Sequence, residues 1–460
     1  MERFIANIVT NIKKAAPRFE LGIKDLQSSA LPLGHAAVQD LNESIKHLNS
    51  KMIHSLLIIS NGHGEDAIAF EIIKRILAFS KPLKIEVMPL VGNGYLFHSM
   101  RGNNVTIVGN LKVLPSGGFS NQSLRGLFLD ICAGMPINLI KNWLIVLKKS
   151  NKKYKILAIG DLLPLFFAWT SRCQFGFIGM PKSDHTWNSG PGWSISDFYH
   201  KIKASEWDPW EIFIMRHSNC KTVILRDEIT ANNLRKKSVN AHFLGNPMMD
   251  FIDSSIETKK NLRDYKKIIM LIGSRFPEAF CNLKAFLCSL NFLSIEKKVL
   301  ILCPLSQNCE LSKIKEILKR FSYKLQKKDF YVGEESIWKK NNQYIAIGVG
   351  TFNKWATLAQ VGLSNAGTAT EQISGLGIPS LSIPGRGPQF TKAFAKRQQR
   401  LLGGSVNVCS SKKDLTMKLY KLLNDNDFRK EQSRLGVQRM GSKGASKRIV
   451  QHLFLNLLSE

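Results

Sequence analysis

The segment SNAGTATEQISGLGIPSLSIP, residues 364–384, sets glycines, hydroxyl residues and one carboxylate between two apolar runs. A strand that ends there hands over to a helix whose first N–H groups have no intrahelical partner and attract anions. Gly367, Thr368, Ala369 and Thr370 then form a cradle fit for a diphosphate, and Glu371 follows as an acceptor for two ribose hydroxyls. The same residues would also serve as a capping box with no ligand. MLIGSRFPEAF offers a second such loop: Gly273 lets the backbone approach a ligand, Ser274 donates, and Arg275 supplies a planar fork matched to phosphate oxygens.

Two further loops carry acid–base chemistry. AIGDLLPL puts Asp161 directly after an apolar strand, where a carboxylate serves either as general base or as N-cap of the next helix. ISNGHGEDAIAF clusters His63, Glu65 and Asp66 behind two glycines; it reads as a cleft loop or as a tight turn capped by Asp66.

These loops need strands to carry them. From IHSLLIIS onward, short apolar runs alternate with helical patterns: strands at 54–60, 84–89, 105–108, 155–160, 175–178, 222–227 and 241–247, with helices near 65–79, 124–148 and 162–172. After the charged stretch DSSIETKKNLRDYKK the alternation restarts at 268–274, 297–304, 329–333, 343–348, 359–365 and 378–384, and 411–458 reads as a closing helical stretch. Such alternation implies βαβ units and parallel sheets. The expected architecture is α/β, two tandem Rossmann-like domains with an interdomain cleft. The expected divisions are an N-terminal extension over 1–51, a first domain over 52–250, a second over 251–424, and a C-terminal helix over 425–460 that packs back on the first.

Composition narrows the function classes. The chain has 460 residues, 44% of them hydrophobic, enough for two cores. Lys and Arg number 65 against 35 acidic residues, a formal charge of +30 that favours an anionic neighbour. No nucleic-acid recognition motif accompanies that charge, so nucleic acid is not expected. Eight cysteines without C-x-x-C spacing read as buried, reduced thiols, and the N-terminus has no signal-peptide pattern, so the expected compartment is the cytoplasm. The longest apolar stretch, 127–147, is broken by Asp130, Pro136, Asn138 and Lys141, so no span is expected. Its helical spacing sets Leu139, Ile140, Trp143, Leu144 and Leu147 beside Lys141, Lys148 and Lys149, either as a peripheral contact with an anionic membrane or as a face packed on the sheet. The G-x-x-x-x-G-K-[ST] and H-E-x-x-H signatures are absent, and so is a G-x-G-x-x-G after the first strand. No cofactor and no catalytic metal are therefore expected.

LGNPMMD (244–250), GSRFPE (273–278) and NAGTATEQ (365–372) together resemble motifs of the lipid-A-disaccharide synthases, which are GT-B glycosyltransferases. The resemblance spans about residues 52–425. It implies an inverting, metal-independent transferase that moves a sugar of N-acetylglucosamine type from a UDP-sugar donor to a lipid-linked acceptor. Domain two would hold the nucleotide, and Asp161, His63 or Glu65 would act on the acceptor, the resemblance placing a carboxylate at Asp161. The first loop departs from that family's G-E-x-S-G-D. Its histidine, and GPQFTKAFAKRQQRLLGG with Gln389 placed against the donor sugar, resemble instead the N-acetylglucosaminyltransferase that completes the peptidoglycan lipid precursor. Two alternatives share the scaffold: a UDP-N-acetylglucosamine 2-epimerase-like enzyme, which needs no acceptor, and a non-catalytic lipid- or protein-binding module.

Overall fold

Continuous apolar runs build two sheets, each covered on both faces. In β1 (Ser55–Ser60) the residues Leu56 to Ile59 are wholly buried, as a parallel strand between helical layers requires. The computed structural model describes residues 55–62, 64–79, 83–100, 102, 104–112, 124–149, 154–188, 195–252, 262, 264–294, 296–307, 309–326, 333–385 and 390–458.

The first sheet is parallel throughout and has the order β3-β2-β1-β4-β5-β6-β7. Its other strands are β2 (Lys84–Pro89), β3 (Val105–Ile107), β4 (Tyr154–Ile159), β5 (Gln174–Gly179), β6 (Cys220–Leu225) and β7 (Ala241–Phe243). The second sheet comprises β8 (Lys266–Leu271), β9 (Val299–Leu305), β10 (Lys324–Gln326), β11 (Ser336–Lys340), β12 (Gln343–Val349), β13 (Val361–Ser364), β14 (Ser380–Ser382) and β15 (Val406–Val408). Its order is β10-β11-β12-β9-β8-β13-β14-β15, antiparallel only across β10, β11 and β12. The strand order reverses between β1 and β4 in one sheet and between β8 and β13 in the other, and ligands of open α/β sheets bind outside such reversals. All four loops singled out in the sequence leave those four strands.

The helical expectations need two corrections. The stretch 124–148 is two helices, Leu124–Cys132 and Met135–Lys148, because Gly134 takes a left-handed φ of 80° just before Pro136. The stretch 411–458 breaks into Lys412–Asn424, Asn426–Met440 and Ala445–Leu453, with Asp425 capping the second and Gly441 and Gly444 at positive φ before the third. That third helix lies on the first sheet: His452 Nε2 is 2.8 Å from Thr222 Oγ1 of β6. Asp250 fixes its start by accepting the N–H groups of Gly444 and Ser446, at 2.5 and 2.6 Å.

Among the strands, β10, β11 and β15 lie outside the expected runs; β10 is a short, largely polar edge without an apolar run to announce it. The expected strand at 329–333 falls outside the described residues except for Gly333. All eight cysteines are free thiols, but Cys132 and Cys281 are exposed rather than buried, and Cys288 and Cys309 are only half-buried. No helix among the described residues is long and apolar enough to cross a membrane.

Candidate functional site

On the first sheet, the β1 loop is tied down from within. Ser60 Oγ donates to Asp66 Oδ1 at 2.5 Å in a buried position. Gly62 has φ 106°, and a Cβ there would come within 3.0 Å of the Val91 backbone oxygen, so the turn requires glycine. The β4 loop packs directly on it, since a Cβ on Gly160 would lie 2.9 Å from Asn61 Cβ. Glu65 and Asp161 are thereby brought to one wall. Asp161 caps helix Leu162–Thr170, its Oδ1 accepting the Leu163 N–H at 3.3 Å, so the N-cap expectation is realised.

The electrostatics single out Glu65. Burial pushes its carboxyl up to about 7, and the charges of Asp161, Asp66 and Glu371 add to the rise against a bond from its own amide. Asp66 is lifted by burial to about 6, held back by the Ser60 hydroxyl and the Gly62 amide. Asp66 is thus a tether inside the loop, whereas Glu65 is a carboxyl that exchanges its proton near neutrality. His63 lies outside the described residues.

On the second sheet, helix Thr368–Gly375 starts at Gly367 with no side chain capping it. The Thr370 and Glu371 N–H groups both return to the Gly367 carbonyl, at 3.0 and 3.3 Å. The Thr370 side chain is buried, its Oγ1 2.6 Å from Ser364 Oγ and donating to the Ala366 carbonyl at 2.5 Å. The outward-facing donors of the cradle therefore belong to Gly367, Thr368 and Ala369, and Thr370 supports it from behind.

Buried amides hold this cradle. Gln398 Nε2 donates to the carbonyls of Ala366 and Gly367, at 3.1 and 3.2 Å. Asn365 Nδ2 donates to Asn282 Oδ1 at 2.9 Å and to the Ile383 carbonyl at 2.8 Å, and Asn282 reaches the Ile272 carbonyl. The loops after β8, β13 and β14 are locked together in this way. Gly273, at φ 92°, brings its backbone to the Asn365 carbonyl, where a Cβ would sit 3.3 Å away. Ser274 is exposed and Arg275 half-buried, with burial drawing the Arg275 pKa below its ordinary value and Glu278 opposing the shift. Gln389 lies outside the described residues.

The two walls meet. A Cβ on Gly64 would lie 3.7 Å from Thr368 Oγ1, and Glu371 Oε2 accepts a hydrogen bond from Arg226 Nη2 at 2.8 Å. Arg226 follows β6, is 3% exposed, and also donates to the Met180 carbonyl at 3.1 Å. Sequence reasoning missed it. The available signal was the one used for Asp161, a charged residue at the end of an apolar strand. Arg397 and Arg400 join the halves of the molecule, pairing with Glu206 at 2.9 Å and Asp197 at 2.8 Å.

Solved structures share this architecture. The calicheamicin glycosyltransferase CalG4 superposes with a TM-score of 0.55 at 10% identity, covering 88% of this chain and 98% of that one. A Listeria monocytogenes protein assigned as a UDP-N-acetylglucosamine 2-epimerase gives 0.54 at 12% identity, covering 89% and 99%. A second UDP-N-acetylglucosamine 2-epimerase structure gives 0.52 at 13% identity, covering 88% and 96%. The fold is GT-B. No protein-family model and no curated protein matches the sequence. Within the GT-B frame, Glu65 and Asp161 stand on the first Rossmann-like half, and Arg275 and the Gly367 cradle on the second.

Proposed function

We propose that the chain is a UDP-sugar-dependent glycosyltransferase that inverts configuration, passing a sugar of N-acetylglucosamine type to a hydroxyl of a lipid-linked acceptor. The observation that carries this is the opposition of two walls in one GT-B cleft: a carboxyl poised near pH 7 on one side, and an uncapped helix start beside an arginine on the other. In the proposed step, Glu65 takes the acceptor proton as the acceptor oxygen attacks the anomeric carbon. The bond to UDP breaks on the opposite face. Charge gathering on the leaving diphosphate meets Arg275 and the N–H groups of Gly367, Thr368 and Ala369. Asp161 keeps Glu65 basic through its charge, and the Glu371 oxygen that does not face Arg226 receives a ribose hydroxyl.

A hydroxyl on a lipid has to be reached at a membrane surface. Helix Met135–Lys148 exposes Ile137, Ile140 and Leu144, with Lys141 and Lys148 on the same side, and this face suits peripheral contact with anionic lipid.

Calorimetry with UDP-, GDP- and TDP-sugars, followed by turnover with lipid extracts, tests the proposal. Selective UDP-sugar binding with transfer to lipid is expected. A UDP-sugar altered without any acceptor would make the chain epimerase-like, and a folded chain that binds no nucleotide would make it a non-catalytic scaffold.

A further inference from the structure

Beside Asp161, away from the nucleotide wall, helices Leu162–Thr170 and Pro209–Met215 enclose a groove of about 770 Å³. That is within the range of pockets that hold small ligands. One stretch of its lining is aromatic: Phe166 and Trp169 have ring centroids 6.0 Å apart, and Trp169 meets Phe213 edge-on at 6.3 Å. Phe213 and Trp210 stand 64% and 53% exposed, so apolar surface is left open to water along the groove.

The polar part of the lining is acidic. It carries Asp161, Asp208 and Glu211 against one lining cation, Lys182, and Asp208 is also paired with Lys203 from outside the lining, so the carboxylates still outnumber the cations in a chain whose formal charge is +30. Lys182 is already engaged, paired with Glu211 and lying 3.7 Å from Asp208. Glu211 is fully buried; one of its oxygens accepts from Lys182 and the Asp208 amide, and the other, Oε1, has no hydrogen-bond partner. A phosphate placed here would face carboxylates, whereas hydroxyl groups would find acceptors.

We infer that this groove binds an amphiphile with one hydrocarbon chain along Phe166, Trp210 and Phe213 and an uncharged, hydroxyl-bearing head toward Asp161 and Glu211. Its role as the acceptor site rests on the transferase proposal; its capacity to hold the amphiphile does not. The acceptor class so defined is a neutral glycolipid or lipid alcohol rather than a lipid phosphate.

The experiment titrates the full chain, below the micellar concentration, with n-octyl glucoside, n-octyl phosphate and glucose, read by calorimetry and tryptophan fluorescence. Saturable octyl glucoside binding is expected, with glucose silent and octyl phosphate weaker by about tenfold or more. Phe213→Asp and Trp210→Ala, both at exposed positions, are each expected to weaken octyl glucoside about tenfold, through the apolar contact each ring would lose. UDP binding should be unchanged in both. Asp208→Asn should narrow the gap between glucoside and phosphate. Three results would overturn the inference: no saturable glucoside binding, equal or tighter phosphate binding, or binding indifferent to both aromatic variants. Self-association abolished by Phe213→Asp, without glucoside binding, would overturn it too, giving the groove to a second copy of the chain. Groove binding without nucleotide binding would sink the transferase proposal alone, and nucleotide binding without groove binding would sink this inference alone.

Discussion

Arg226 Nη2 lies 2.8 Å from Glu371 Oε2, joining the end of β6 to the first turn of helix Thr368–Gly375 across the cleft. The arginine side chain is 3% exposed and the carboxylate 15%, so the pair is largely withdrawn from solvent. Removing one member of such a pair strands the other charge, which typically costs about 3–5 kcal/mol. Arg226→Met is expected to lower the urea-unfolding free energy by about 3 kcal/mol, and Arg226→Met with Glu371→Leu to recover much of that loss. A single variant as stable as the wild type would mean the two halves do not depend on this contact. Glu371→Ala should in addition weaken UMP and UDP alike, because the ribose is common to both.

Arg275 should behave differently with the same two nucleotides. A charge-assisted contact to phosphate is worth about 1.5–3 kcal/mol, so Arg275→Ala should weaken UDP roughly ten- to hundredfold and UMP much less. Calorimetric titration of both ligands checks this, with the circular dichroism spectrum confirming the fold. Equal losses for UMP and UDP would move Arg275 away from the outer phosphate.

What the sequence makes legible is local. A strand followed by glycine and a charged or hydroxyl residue located the loops after β1, β4, β8 and β13, because backbone geometry and side-chain chemistry are both written within a few residues there. Arg226 carries the same local mark, but its partner is 145 positions further on, and no spacing rule predicts so distant a pair. Thr370 looked like a ligand contact and is buried beneath the cradle, since a helix start does not announce which of its side chains turns inward. Short segments gave least: helix Ile195–Lys203, between β5 and β6, sets Ile195, Phe198, Tyr199 and Ile202 at helical spacing, but the period lasts only nine residues. Arg400 pairs with Asp197 of that helix and Arg397 with Glu206 just beyond it, contacts between the halves that no local pattern announces.

Glu65 should set the pH dependence of turnover. A base must be deprotonated to act, so kcat/KM is expected to rise with pH through about 7 and then level off. Glu65→Gln should lower kcat by about 10²–10⁴ while leaving UDP affinity near normal. Asp161→Asn removes one of the charges that raise Glu65, so its rising limb should move to lower pH with a smaller loss of rate. Stability should move the opposite way to activity. The folded state holds the Glu65 proton more tightly than the unfolded chain, so that contribution is complete below about pH 4.5 and is lost as pH rises through about 7. Glu65→Gln should therefore match the wild type near pH 4 and exceed it by about 1–3 kcal/mol at pH 8, measured by urea unfolding. An Asp161→Asn enzyme as dead as Glu65→Gln, with its pH limb unmoved, would return the base to Asp161.

The membrane contact proposed for helix Met135–Lys148 can be tested at residues other than the most conspicuous one. Trp143 packs against the core of the first sheet, its indole N–H donating to Thr170 Oγ1 at 2.9 Å, and Leu139 packs inward beside it. A charge at Trp143 would damage the fold and report nothing about lipid. Ile137, Ile140 and Leu144 are 62%, 54% and 46% exposed, one or two helical turns apart, on the side that carries Lys141 and Lys148. Insertion of apolar side chains resists salt, whereas attraction between lysines and lipid is screened by it. The wild type is expected to cosediment with vesicles containing anionic lipid and to remain partly bound at 0.5 M salt, roughly beyond the reach of surface electrostatics. Ile140→Glu with Leu144→Glu should abolish the salt-resistant fraction, and Lys141→Glu with Lys148→Glu should remove mainly the salt-sensitive fraction. Both variants should unfold in urea like the wild type, because the altered positions face water. A double glutamate variant that still cosediments at high salt would place the contact elsewhere on the molecule, and a wild type that ignores anionic vesicles at low salt would reject peripheral attachment altogether.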